Sequence, residues 1–173
     1  MNPAHVHLMV NHLPVIGMLF AACLLVYARF VSRSQESIKI ALLGVFLIGL
    51  TGLPAYFSGE AAEEMMEHQA GISEALIESH EDLAKTAFIL TQISAVIGFL
   101  GLIIQKKNPK TMLIVNIALV STGVSIGALG LTAQSGGLIN HPEIRADGLD
   151  LSKGAEQGIL DHNEKHETTE DDD

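Results

Sequence analysis

The chain contains no tryptophan, two tyrosines and six phenylalanines among its 173 residues. Aromatic rings that could line a large flat prosthetic group are therefore few, which counts against one. Cysteine occurs once, as Cys23, so no disulfide framework exists within the chain. Lysine and arginine together number 10 against 20 aspartates and glutamates, for a net charge of −10. No clustered basic face is available to contact phosphates, which excludes nucleic acid as a partner. The chain also lacks a phosphate-cradling glycine loop, a nucleophile motif and an HExxH pair, so nothing in it assigns an enzymatic activity.

What the chain has instead is apolar length. Residues that are hydrophobic make up 48% of it, and they gather in four runs, 13–30, 38–57, 83–104 and 112–133. A helix of about twenty residues crosses a hydrocarbon core roughly 30 Å thick. Only helices and closed barrels satisfy their backbone in lipid, and these runs lack the alternation of barrel strands. The expected fold is all-α, a transmembrane four-helix bundle over 1–142 followed by an acidic tail, 143–173. That tail cannot bury enough apolar surface to offset its ordering entropy and is expected to be disordered.

Charge sets the expected orientation. Arg29, Arg33 and Lys39 flank the first short connection, Lys106, Lys107 and Lys110 the second, and Glu36 is the one acid on that side. Basic short loops stay in the cytoplasm, so both termini and the long loop 58–82 are expected to face the periplasm of a bacterial inner membrane. Leu19, Phe20, Ala21, Ala22 and Cys23 faintly resemble a lipoprotein cleavage box. No base precedes them and the apolar run continues to Phe30, so an uncleaved first span is expected. No acid or base interrupts the runs in the membrane core to mark an ion path, which disfavours a transporter.

Finer features follow from turn and cap chemistry. Residues 1–10 read as a short outward lead, with Asn11 as the N-cap of span one and Pro14 in its first turn. Residues 32–37 read as a tight cytoplasmic turn. Pro54 should kink the end of span two and free a carbonyl near Leu50. The loop 58–82 holds eight acids and no lysine or arginine. Within it Met65, Gln69, Ile72, Leu76 and His80 recur at helical spacing, predicting an amphipathic helix over the outer mouth, broken at Gly71. Ala84, Ala87, Thr91, Ser94, Gly98 and Gly101 share one face of span three, and Gly123, Gly127 and Gly130 form a small-residue series in span four. Such faces let helices pack closely, within the bundle or between copies of the chain. Gly136 and Gly137 are expected to stop the last helix.

All eight histidines fall on the expected outer side: His5, His7 and His12 in the lead, His68 and His80 in the loop, and His141, His162 and His166 after span four. Imidazole is the commonest metal ligand and also an axial ligand of haem iron. His162 and His166 belong to the solvated tail, and His68 sits among glutamates. His12, His80 and His141 stand where the starts of spans one and three and the end of span four meet.

Three landmarks carry a family resemblance. They are Val10, Asn11, His12, Leu13 and Pro14 at span one, His80 at the start of span three, and Gly136, Gly137, Leu138, Ile139, Asn140 and His141 after span four. With Thr51 and Gly52 they resemble the bacterial four-span membrane family called domain of unknown function 2231, over roughly residues 3–142. The sequence departs from that pattern at Leu13, Asn140 and Pro142 and in its long acidic loop. The resemblance implies an architecture and no established activity.

Three functions fit these residues. The first is a b-type haem held by His12 and His80, with His141 close by, for electron transfer with membrane or periplasmic redox proteins. The second is a copper or zinc site on His12, His80 and His141, with Glu81 or Glu60 nearby and His5 and His7 as an additional or access site. The third is an accessory subunit without a cofactor, its histidines bonding carbonyls freed at helix ends.

Overall fold

The computed structural model describes residues 2–66, 74–105 and 111–141. The expected break at Gly71, the lysines at 106, 107 and 110, His68 and the tail with His162 and His166 lie outside the described residues. Among the described residues there are six α-helices: α1 (Pro3–Val10), α2 (His12–Val26), α3 (Gln35–Leu50), α4 (Gly52–Met66), α5 (Glu74–Ile104) and α6 (Thr111–Asn140), with a π-helical segment, Tyr27–Ser32, after α2. No strand occurs among the described residues.

These elements join into four rods, Pro3–Ser32, Gln35–Glu64, Glu74–Ile104 and Thr111–Ile139, each long and apolar enough to cross a membrane. The four apolar runs read from the sequence fall one in each rod. At 1.5 Å per residue such rods are roughly 45 Å long, longer than a hydrocarbon core of roughly 30 Å requires. The excess lies at the end carrying the histidines, where acids replace apolar residues.

Proline sets the two breaks in the rods. Pro14 has no N–H for the Val10 carbonyl, and α1 gives way to α2 at Asn11. Pro54 does the same to Leu50, and α3 gives way to α4 at Thr51. The carbonyls at this second break find other donors: Thr51 Oγ1 donates to Ile48 O at 2.6 Å and Gln92 Nε2 to Gly49 O at 3.0 Å.

The N-terminal lead differs from expectation. It is helical, and its cap is Asn2, whose side chain accepts from Ala4 N at 2.9 Å. Asn11 has helical φ and ψ and makes no capping bond, so Pro14 lies well inside a rod rather than in a first turn. Likewise the described parts of the acidic loop form no separate helix, since α4 runs on to Met66 and α5 starts at Glu74. Gly136 and Gly137 do not stop α6, which continues to Asn140.

At the opposite end Arg33 closes the first turn in the left-handed conformation, φ 51°. Its N–H donates to Ala28 O at 3.0 Å, and Ser34 caps α3 by accepting from Ser37 N at 3.1 Å.

Helices α2, α3, α5 and α6 pack in a ring, each touching the next, and α1 packs on α4 beyond it. The half of the ring away from the histidines is filled by Leu25, Ile38, Leu42, Val45 and Val115 with the alanines between them. A second apolar layer, Met18, Ala87 and Leu129, lies nearer the histidine end. Burying these groups excludes lipid and water alike, whereas Phe20, Val31 and Val120 keep 67–69% of their surface exposed, as suits helices in contact with a bilayer.

Candidate functional site

Beyond the second apolar layer the rods carry the five histidines singled out from the sequence. The structure sorts them by helix face. His5 and His12 are exposed, as is His141 just past α6, whereas His7 and His80 are half-buried. His7 is also near enough for its charge to act on His80. His12, His80 and His141 are thus not gathered by burial, and among the described residues no three histidine, cysteine or acidic side chains group as a metal-ligand set.

Helical phase explains the sorting. On the first rod His7, Asn11, Pro14, Met18, Ala21, Leu25 and Ala28 follow at alternating steps of four and three, which keeps them on one face. From Pro14 onward every member of that series is buried. His12 falls one step off the series and faces out. On α5, Ile77, His80, Ala84, Ala87, Thr91 and Ser94 repeat the pattern. The sequence signal for His7 was therefore present, but it is visible only if the helix continues upstream through Asn11.

Each half-buried ring rests on a glycine of a facing helix. A Cβ at Gly59 would stand 3.2 Å from His7 Cε1, and one at Gly136 would stand 3.1 Å from His80 Cε1. Any larger residue at either position would press on the imidazole.

A hydrogen bond assigns the tautomer of His7. His7 Nδ1 lies 3.0 Å from Ala55 O and 3.3 Å from Ser58 Oγ. A carbonyl only accepts, so Nδ1 carries the proton and the lone pair of neutral His7 is on Nε2. In His80, Nδ1 is buried without a hydrogen-bond partner among the described residues, while the Thr132 backbone carbonyl acts on the ring.

Both rings lie outside the apolar spans, and burial holds each below the ordinary histidine value. For His7 the Ala55 carbonyl opposes burial, and His12 adds to it. For His80 the nearby His7 reinforces burial, and the Thr132 carbonyl opposes it. Burial thus favours the neutral form of both rings, His7 with its lone pair on Nε2 and His80 with Nδ1 unpartnered among the described residues. Groups of this kind accept a proton or ligate a metal. Glu60, Glu63 and Glu81, on the same overhang, act on Tyr56 and make this end acidic.

No family model, curated protein or solved structure matches the chain. Four helices long and apolar enough to cross a membrane make it an integral membrane protein in contact with the lipid bilayer.

Proposed function

We propose that this protein is a multi-pass protein of a bacterial inner membrane, both termini periplasmic, that holds a transition metal at its outer mouth through His80 and His7. The observation that carries the reading is the half-burial of two rings at one end of the bundle, where burial favours the neutral form of both. His7 has Nδ1 on the Ala55 carbonyl, and the Thr132 carbonyl acts on the His80 ring. Metal-bound histidines use the same second contact to fix their tautomer. The acidic overhang raises the local concentration of cations.

A bare copper or zinc ion is the first form of this reading. The unpartnered nitrogen of His80 is Nδ1, lodged against Gly136, and a single ion reaches such an atom more readily than a macrocycle does. Water, or a carboxylate such as Glu60 or Glu81, completes the coordination. The second form is b-type haem iron, serving electron transfer with other membrane or periplasmic redox proteins. The pairing of two histidines favours it, because a porphyrin leaves its iron only two axial positions. The four-span family resemblance is kept as part of this proposal and rests on its motifs alone.

The test uses the detergent-purified full chain. Bound metal is measured after titration with zinc or with copper, and absorption spectra are taken oxidised and reduced. One ion per chain, lost in both His7→Gln and His80→Gln, is expected for the bare-ion form. A reduced Soret and α band selects haem instead. A chain with neither ion nor pigment leaves the histidines as interface groups, with His7 bonding the carbonyl beside Pro54.

A further inference from the structure

Helix-borne hydroxyls in this chain mostly return to their own helix. Ser121 Oγ donates to Ala118 O, Ser125 Oγ to Ser121 O and Thr132 Oγ1 to Ala128 O. This satisfies a polar group that lipid and packed side chains cannot. Thr91 on α5 and Thr122 on α6 break the pattern. Both residues are 0% exposed, and neither hydroxyl has a hydrogen-bond partner among the described residues. They flank the fully buried pair Ser94 and Ser125, whose hydroxyls lie 3.0 Å apart across the two helices.

We propose that α5 and α6 hold internal water at the centre of the bundle, anchored by the Thr91 and Thr122 hydroxyls. Thr91 and Ser94 are three residues apart on one helical face, as are Thr122 and Ser125, which places each pair of Cβ atoms about 5–6 Å apart. That separation suits one water bridging two hydroxyls. The protons also balance. Ser125 gives its proton to Ser121 O, so Ser94 donates to Ser125, and the Ser94 oxygen keeps its lone pairs for a donor. A water beside Thr91 accepts from the threonine and donates to Ser94; one beside Thr122 bridges to Ser125 in the same manner. Each water thereby meets the two or more polar partners that a buried water needs. Without water each threonine would hold an unsatisfied buried hydroxyl, which destabilises the fold.

Apolar layers lie on both sides of the site. Met18, Ala87 and Leu129 separate it from the histidines, and Leu25, Ile38, Leu42 and Val45 separate it from the opposite face. The water is therefore enclosed, and the site is no conduit.

Water-to-protein polarisation transfer, recorded by solid-state NMR on the full chain in bilayers, tests this directly. Signals of Thr91 and Thr122 are expected to build up from water faster than those of Val45 and Leu42. Build-up no faster than at Val45 overturns the proposal. Thr91→Val and Thr122→Val give an independent reading because they keep the shape and delete the hydroxyl. A hydrated hydroxyl predicts a lower unfolding midpoint for each variant. An unchanged or raised midpoint means the hydroxyl was unpaired, which again overturns it.

Discussion

His80 lies against Gly136 so closely that a methyl group on that glycine would stand 3.1 Å from the imidazole Cε1 and 3.4 Å from Nδ1. The pair of glycines expected to end the last helix thus has a different use, since one of them makes room for a ring from α5. The residue at 136 therefore governs where the unpartnered nitrogen of His80 sits.

Gly136→Ala separates positioning from stability. Alanine favours the helix by about 1 kcal/mol over glycine, which offsets the small shift forced on the ring, so the unfolding midpoint should move little. Binding at His80 should suffer more. A displacement worth about 1.4 kcal/mol appears as a tenfold weaker zinc or copper affinity, with a changed ¹⁵N shift for the imidazole. Gly130→Ala, on an open face with nothing within 4 Å of the added carbon, serves as the control. Equal affinities in the two variants would remove Gly136 from the site.

Acid should loosen the mouth. Burial lowers the values of His7 and His80 from the ordinary 6.5, so the unfolded chain takes up protons first as the pH falls. Stability is then level above the unfolded value, declines from about pH 6.5 downward, and stops declining below the folded values. Thermal unfolding between pH 5 and 8 should show this slope, and His80→Gln should flatten part of it. Groups common to both proteins contribute to the two curves alike, so the difference between them isolates the histidine. A midpoint that rises on acidification would show that the rings are stabilised by charge instead.

The glycines of the helices divide into two kinds, and alanine should tell them apart. A Cβ at Gly98 would meet Leu42 O at 2.9 Å and Phe46 N at 3.2 Å, and backbone atoms within a helix cannot step aside. Gly98→Ala should therefore destabilise the bundle by about 1–3 kcal/mol. At Gly123 nothing lies within 4 Å, so Gly123→Ala should stabilise α6 by about 0.5–1 kcal/mol. Denaturation of both variants in micelles measures the contrast. A loss at Gly123 would mean that a second chain covers this face in the native assembly.

Orientation is open to cysteine labelling. In a Cys23→Ala background, Ser34→Cys sits in the turn beside Arg33 and Glu74→Cys at the start of α5. A membrane-impermeant maleimide should reach the second in intact cells and the first only after permeabilisation, because basic short loops remain inside. The reverse labelling pattern would put the histidines in the cytoplasm.

Membrane spans are legible in a sequence because lipid demands long uninterrupted apolar runs, and all four runs fall within helices here. Pro54 was equally readable, since a missing N–H breaks a ladder wherever it occurs. What hydropathy does not reveal is where a helix ends once it leaves the lipid. Backbone bonding continues past the interface, so α1, the end of α4 and the start of α5 extended beyond the apolar signal. The choice of His12 over His7 followed from that boundary. Reading Asn11 as a cap severed the four-and-three repeat that carries His7 onto the buried face. Gly136 was misread for a related reason: a glycine accommodating a neighbour and a glycine ending a helix look the same until the neighbour is known.

The contact between Ser94 and Ser125 is directional, and mutation should reveal its direction. Ser125 Oγ donates to Ser121 O at 3.0 Å, so the single proton between the two serines, 3.0 Å apart, comes from Ser94. Ser125→Ala removes the acceptor and leaves Ser94 with a buried donor, a loss of about 1–3 kcal/mol. Ser94→Ala removes a donor while Ser125 keeps its bond to Ser121 O, and should cost about 0.5–1.5 kcal/mol. The double variant should cost less than the sum, with a coupling near the roughly 0.6 kcal/mol average for such contacts in bilayers. Equilibrium unfolding of the two single variants and the double completes the cycle. If Ser94→Ala proves the more damaging single change, the proton runs the other way and Ser125 is the donor across the helices.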